Sequence, residues 1–185
     1  MQGDQITKKI FEDGRTHRVF TDRPVDQRLL RRLYDLAKIA PSASNLCPMR
    51  ITFVTSQTQK QKVIEAAADG NKTKIASAPV VAVIAHDAKF DRHIEKLAPH
   101  MDAGEFRKQK PEILEQIAKE NCWLQAGFLI VAARSLGLDC GPMGGFDRAK
   151  IDNFFYQGSS WRSNFLMNLG YGDASKLHPR GHSLK

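Results

Sequence analysis

A chain of 185 residues, 42% of them hydrophobic, is the size of one domain with its own core, so residues 1–185 are expected to form a single α/β or α+β unit. The formal charge of +8 asks for an anionic partner, but the basic residues are dispersed along the chain and aromatics make up only 8%. That pattern speaks against nucleic acid and leaves the phosphates of a small cofactor. Three cysteines without Cys-x-x-Cys spacing suggest neither a disulfide framework nor a zinc site. No apolar run approaches the roughly 20 residues that span a bilayer, and the charged start (Asp4, Lys8, Lys9, Glu12, Asp13) does not read as a signal peptide. A cytoplasmic protein without membrane contact is expected.

In chain order, residues 4–13 read as a short helix with Ile6, Ile10 and Phe11 near one face. Asp26 is placed to cap a second helix over 27–40, where Leu29, Leu30, Leu33, Leu36, Ala37 and Ala40 recur at three- and four-residue spacing. Residues 51–55 are strand-like, 57–68 helical, and 79–86 a buried strand rich in β-branched side chains. Pro111 can begin a helix of about 25 residues, twice the usual length, that Gly137 ends, and such a helix would form the spine of the domain. Asp147 starts a helix of about eight residues, and 164–170 is a final strand.

The segment 41–50, Pro-Ser-Ala-Ser-Asn-Leu-Cys-Pro-Met-Arg, packs two prolines, two hydroxyls and an amide between a helix and a strand. Pro41 cannot continue the helix and Pro48 holds its predecessor extended, so the loop between them has a defined shape. Two readings stay open for it: a rigid loop presenting Ser42, Ser44 and Asn45 to a flat polar ligand, or a solvated connection. Cys47 has no nearby His or helix start to activate it and reads as a small packing residue.

His86, Asp87, His93, Glu95 and His100 cluster in sequence, but their spacing fits no compact metal motif, and a solvated charged helix after the strand is the expected structure. Neither a P-loop nor a Gly-x-Gly-x-x-Gly turn is present, so a phosphate-bearing ligand has to be held in another way. Four segments can do so together. Arg15-Thr16-His17-Arg18 offers two guanidinium forks and a hydroxyl for a phosphate. The 41–50 loop is the second segment. Asn71 and Lys74 stand one helical turn apart and can address one ligand. Gly141-Pro142-Met143-Gly144-Gly145-Phe146 lets backbone approach a ring system closely.

This order of segments resembles the nitroreductase family of flavin-dependent oxidoreductases over residues 14–180, on the arginine-rich start, the Ala-Pro-Ser-x-x-Asn-x-x-Pro loop, the Asn-x-x-Lys pair and the Pro-x-Gly-Gly-Phe turn. The likeness is greatest to the branch that includes the malonic semialdehyde reductases (3-hydroxypropionate dehydrogenases). With that branch it shares Arg-Thr-His, Leu-Tyr-Asp-Leu at 33–36, Gly-Leu-Asp-x-Gly-Pro-Met at 137–143, Gly-Phe-Asp at 145–147 and Gly-Tyr-Gly-Asp-x-Ser-Lys-Leu at 170–177.

The resemblance implies an α+β nitroreductase-like fold: a central, mostly antiparallel sheet flanked by helices around a long core helix, in a domain-swapped type of homodimer. It implies FMN at the subunit interface and NADPH or NADH as electron donor. Arg15, Thr16 and Arg18 would hold the phosphate, with Lys176 and Arg180 adding charge. Asn71 and Lys74 would face the pyrimidine edge of the flavin, Lys74 stabilising negative charge on the reduced ring. Pro142, Met143, Gly144 and Gly145 would lie along the ring near N5, and Pro41, Ser42, Ser44 and Asn45 would arrive from the opposite subunit. No catalytic acid or base is obligatory in the implied ping-pong cycle. The acceptor would be a small molecule, a nitroaromatic, a quinone or a semialdehyde such as malonic semialdehyde; a flavin-binding module without turnover would carry the same motifs. Against the common family pattern, Gly14 replaces a basic residue, Cys47 and Met49 replace Gln and Trp, and Gly144 stands where many members have Glu.

Overall fold

The computed structural model describes residues 2–182, so Met1 and residues 183–185 of the expected 1–185 domain lie outside the described residues. Four strands form one sheet: β1 (Met49–Val54), β2 (Val80–Asp87), β3 (Asp139–Met143) and β4 (Trp161–Gly170), in the order β1-β2-β4-β3 with every pairing antiparallel. The α+β expectation with an antiparallel sheet is therefore met. β3 was not foreseen as a strand. It contains Pro142, which the ladder tolerates because β3 is an edge strand.

Helices cover both faces. The α-helices are α1 (Gln2–Thr7), α2 (Gln27–Ala37), α3 (Gln57–Ala66), α4 (Asp69–Ser77), α5 (Ile94–Leu97), α6 (Ala103–Arg107), α7 (Pro111–Ser135) and α8 (Arg148–Phe155). β2 is buried along its whole length and alternates between the two layers. Val80, Ala82 and Ile84 pack with Leu33, Ala37, Cys122, Ala126 and Leu129 of α2 and α7, while Val81, Val83 and Ala85 pack with Val63, Ile75 and Ile151 of α3, α4 and α8. Each fully buried Val, Leu or Ile contributes about 2 kcal/mol of transfer free energy, so β2 and its neighbours anchor both layers.

The helix ends follow their sequence signals. Asp26 Oδ1 accepts from the Arg28 amide at 2.7 Å, Asp147 Oδ1 accepts from Lys150 N at 3.1 Å, and Pro111 opens α7 at its first turn. Gly137 closes α7 with φ +82°, a conformation that favours glycine.

Several expectations need correction. The N-terminal helix becomes a π-helical turn over Lys8–Glu12, and only Ile10 of its apolar residues is buried; Ile6 and Phe11 are 59% and 60% exposed, because only one side of this short element meets α7. α2 ends at Ala37, three residues short of the expected Ala40, so the helix has already stopped before Pro41. The helix expected over 57–68 stops at Ala66, where Ala67 turns extended and bridges Phe146, and the following α4 was not foreseen. His86 ends the expected strand 79–86 as predicted, but Asp87 also belongs to β2 and not to a solvated helix, and the two are 1% and 0% exposed.

A β-bulge explains how so polar a strand end is accommodated. The β2–β4 register slips between Ile84 and Ala85, leaving Asn164 unpaired in the ladder, and its Oδ1 meets His86 Nδ1 at 2.9 Å. His86 Nε2 contacts Glu115 of α7 at 2.8 Å, so this polar contact ties the strand end to the long helix. No group of three or more His, Cys, Asp or Glu among the described residues is arranged to hold a metal ion.

Candidate functional site

The predicted site residues fall into two groups, one along the β3 edge of the sheet and one at the start of β1 on the opposite edge. The first lies along the β3 edge. The segment after the N-terminal helix is pinned there by a bridge between Thr16 and Cys140, with His17 N donating to Cys140 O at 3.0 Å. His17 is buried against Gly172, where even a methyl group would collide with the imidazole, and its Nε2 lies 3.5 Å from Asp139. His17 thus points inward, and its neighbours Thr16 and Arg18 are left exposed at the surface.

The C-terminal segment folds back onto these arginines. Arg15 donates to the His178 carbonyl at 2.5 Å, Arg18 Nη1 meets His178 Nε2 at 3.1 Å, and Arg180 donates to the carbonyls of Glu12 and Gly14. Arg15, Arg18 and Arg180 are thereby gathered at one place, and none is paired with a carboxylate among the described residues. Lys176, on the 3-10 turn Ala174–Lys176 just before this segment, is exposed. His178 was not anticipated as part of this cluster, since an isolated histidine in a polar tail carries no signal of where the tail docks.

The other end of β3 carries the ring-facing candidates. Asn71 Nδ2 donates to Gly145 O at 3.0 Å, and Lys74 Nζ donates to Asn71 Oδ1 at 2.8 Å, so the predicted pair acts as one relay on α4. Gly145 is required by this contact, because a Cβ there would sit 2.8 Å from Asn71 Nδ2. Gly144 has nothing within 4 Å of a Cβ position, so the turn after Pro142 and Met143 is open on that side. Asn168 of β4 donates to Lys74 O at 2.8 Å and fixes the turn of α4 that bears the lysine. A polar residue inside the apolar run Phe-Leu-Met-Asn-Leu was the available signal for it. From Cys140 to Gly145 the strand and its extension span roughly 15 Å, so the guanidinium cluster and the Asn71–Lys74 pair flank one elongated strip.

The 41–48 loop lies elsewhere, at the start of β1. Across the sheet Met49 aligns with His86 and Arg162, whereas Cys140 aligns with Leu169 and Val80. Cys140 is therefore three strand spacings, roughly 14 Å, and roughly 20 Å along the strands from Met49, whereas the Gly145 end of β3 is separated from Met49 mainly by the strand spacings. Pro41, Ser42, Ser44 and Asn45 do not join the other predicted residues within one chain.

The loop itself is tightly specified. Ser44, Asn45 and Cys47 all adopt left-handed conformations, with φ of 46°, 60° and 45°. Such backbone costs about 1–2 kcal/mol per L-residue and persists only where surroundings enforce it. Here Asn121 Oδ1 accepts from Ala43 N at 2.6 Å, Gln125 Oε1 from Met49 N at 3.0 Å, and Ser42 Oγ from Cys47 N at 2.9 Å. Asn45 Nδ2 donates to Leu97 O at 2.8 Å and its Oδ1 accepts from the Cys47 thiol at 3.2 Å. The loop is thus rigid, while Pro41, Ala43, Ser44 and Asn45 stay exposed on it. Asn121 and Gln125, one turn apart on the buried side of α7, are the supports that the sequence reading missed.

The sequence profile of the Nitroreductase family matches residues 13–171. The chain belongs to the nitroreductase family. A protein of Ralstonia nicotianae provisionally named NADH dehydrogenase/NAD(P)H nitroreductase is 43% identical over 179 residues, 97% of this chain and 92% of that one. One of the same name from Stutzerimonas stutzeri is 46% identical over 171 residues, 92% and 87% of the two chains. Among solved structures, a nitroreductase of Bacillus subtilis matches with TM-score 0.87 and 20% identity, over 99% of this chain and 96% of that one. A nitroreductase of Exiguobacterium sibiricum in complex with FMN matches with TM-score 0.84 and 18% identity, over 95% and 92%. At these identities the structural likeness establishes the fold.

Proposed function

We propose that the chain is an FMN-dependent NAD(P)H oxidoreductase working as a homodimer, with FMN along the β3 edge. The observation that carries this reading is the strip between three guanidiniums without carboxylate partners among the described residues and the Asn71–Lys74–Gly145 relay, with open space at Gly144. Its donor set fits a ligand with a phosphate at one end and a planar, hydrogen-bonding ring at the other. When bound, FMN supplies hydride transfer from the pyridine nucleotide to the acceptor. Arg15, Thr16, Arg18, Arg180 and the nearby Lys176 bind the phosphate, with Arg15 exchanging the His178 carbonyl for a phosphate oxygen. Asn71 orients the ring, and the Lys74 ammonium favours negative charge on its pyrimidine side. Pro142 to Gly145 supply a flat backbone wall.

The homodimer reading rests on the loop. A loop held by three left-handed residues, yet far from the strip, is built to present Ser42, Ser44 and Asn45 to something outside its own chain. α7 in addition exposes Ile113, Leu124 and Phe128, an apolar face suited to a second copy. Sequence likeness at 137–147 and 170–177 favours malonic semialdehyde as acceptor: NAD(P)H and a proton reduce its aldehyde to the alcohol of 3-hydroxypropionate. The names of the relatives favour a nitroaromatic instead.

Purified protein should be yellow, its flavin bands bleaching with NADPH or NADH and returning on addition of an acceptor. Protein that cannot be loaded with FMN overturns the reading. Arg15→Gln/Arg18→Gln and Asn45→Ala should each lose flavin retention, and co-refolding the two should recover about a quarter of the native sites, because one site of each mixed dimer is intact. No recovery places both groups in one chain's site. Lys74→Ala should slow flavin reduction, and an unchanged rate removes its electrostatic role.

A further inference from the structure

A second anion pocket lies away from the β3 strip, where the turn after β2 meets the turn before β4. Ala88 N donates to Ser160 O at 2.8 Å and joins the two segments. Between them is a cleft of ≈ 480 Å³ lined by Lys89, Arg92, Arg162, Ser159, Ser160 and Trp161. Gly158, at φ +77°, makes the turn that forms its rim.

The charge in this cleft is organised around a buried acid. Asp87, with no exposed side-chain surface, pairs through Oδ2 with Arg50 and Arg92, each at 2.9 Å, while its Oδ1 accepts from Ser160 Oγ at 2.6 Å and Lys89 N at 3.0 Å. One carboxylate thus neutralises one of two guanidiniums. Arg162 is steered by the carbonyls of Trp161 and Ser159, at 2.8 and 3.3 Å, through one nitrogen only. Lys89 Nζ has no ion pair among the described residues. Arg50 lies outside the cleft, and the three cations that line it, Lys89, Arg92 and Arg162, against the one Asp87 carboxylate leave a net +2, with one Arg92 nitrogen, two Arg162 nitrogens and the Lys89 ammonium still free to donate among the described residues.

We propose that this cleft is a phosphate-binding pocket, taking the phosphate of a dinucleotide or of a smaller phosphate ester. A dianion satisfies the unbalanced charge better than a single carboxylate, and two guanidinium forks match phosphate oxygens. Arg92 is preorganised by the buried Asp87, so less of its side-chain freedom is lost on binding. The pocket and the FMN strip use different residues, and neither depends on the other.

The test uses the full-length protein saturated with FMN, so that a flavin-phosphate site is already filled. Inorganic phosphate is titrated while the indole N–H resonance of Trp161, assigned by comparison with Trp123→Phe, is followed by NMR. A saturable shift is expected, weakening with added salt. Lys89→Gln/Arg162→Gln should weaken it at least tenfold, whereas Lys119→Gln, on the exposed side of α7, should leave it unchanged. Both substituted side chains are exposed, and Arg92 stays on Asp87, so the fold is preserved. No saturable shift, or the same affinity in the double variant as in the parent, overturns the pocket. The source is then read from steady-state kinetics. A tenfold higher KM for NADPH with NADH unchanged identifies the dinucleotide 2′-phosphate; phosphate binding with both KM values unchanged identifies a separate phosphate ester.

Discussion

At the β1 corner of the sheet two buried amides of α7, and Arg50, which bridges the buried Asp87 carboxylate to the Cys47 carbonyl, hold a loop in backbone conformations it would not adopt alone. At the β3 edge the guanidiniums of Arg15, Arg18 and Arg180 are exposed or half-buried, and among the described residues they hydrogen-bond to the His178 carbonyl and imidazole and to the Glu12 and Gly14 carbonyls. The first corner is over-determined by the fold and keeps its shape without a ligand. The second is assembled from contacts that a phosphate can replace with stronger, charge-assisted ones. Within one chain a fixed shape and an adaptable cluster of positive charge thus sit on opposite edges of the sheet.

That contrast is open to direct attack, first through Asp87. Asp87→Asn leaves Arg50 and Arg92 without their counter-charge and should cost about 3 kcal/mol in urea unfolding. Burial alone would raise the Asp87 pKa, but the Ser160 hydroxyl, the Lys89 amide, Arg50 and Arg92 outweigh it and hold the pKa below the ordinary carboxylate value. Its contribution to stability is therefore complete above about pH 4 and is lost as pH falls through the folded-state pKa. The variant should lack that acid-side component, and identical acid profiles for both proteins would place the lability elsewhere.

Gly145→Ala tests the strip. The added Cβ pushes Asn71 off the Gly145 carbonyl, and stability should fall by about 1 kcal/mol with a larger, roughly tenfold, loss of bound FMN. Retained flavin would mean that the relay is structural only. Ser44→Gly bears on the strained loop in the opposite direction: relief of a left-handed serine should stabilise by about 0.5–1 kcal/mol, seen as a higher thermal midpoint. A lower midpoint would show that the serine hydroxyl, not the backbone, is what the loop needs. Arg15→Gln should give the smallest change in stability, with an unaltered urea midpoint, while flavin retention falls; a shifted midpoint would make the clamp part of the fold and dissolve the contrast between the corners.

Most of the helical frame was legible, because its signals are local. Asp26, Pro111, Gly137 and Asp147 act on backbone within one turn of themselves, and the apolar run 79–86 can be buried only as a strand in this frame. β3 was missed because Asp-Cys-Gly-Pro-Met has neither alternation nor β-branched residues and is a strand only by virtue of β4 beside it. α4 was missed because its helix start, Ala68, has no capping side chain and is set instead by the Gly145 carbonyl, 77 residues away in sequence. Asp87 was left outside the strand for the same reason: a charged residue at the end of a strand looks solvated until Ser160 and two arginines are found around it.

By itself, then, the sequence determined the caps, the long helix and the chemical types gathered for the site, since each follows from a residue's own side chain and near neighbours. Tertiary structure decided where those types meet: that Asn71 reaches Gly145, that the tail returns to Arg15 and Arg18, and that the 41–48 loop stands on the opposite edge of the sheet from both. Those relations run through strand order and register, which depend on contacts between residues far apart in the chain and leave no local pattern to read.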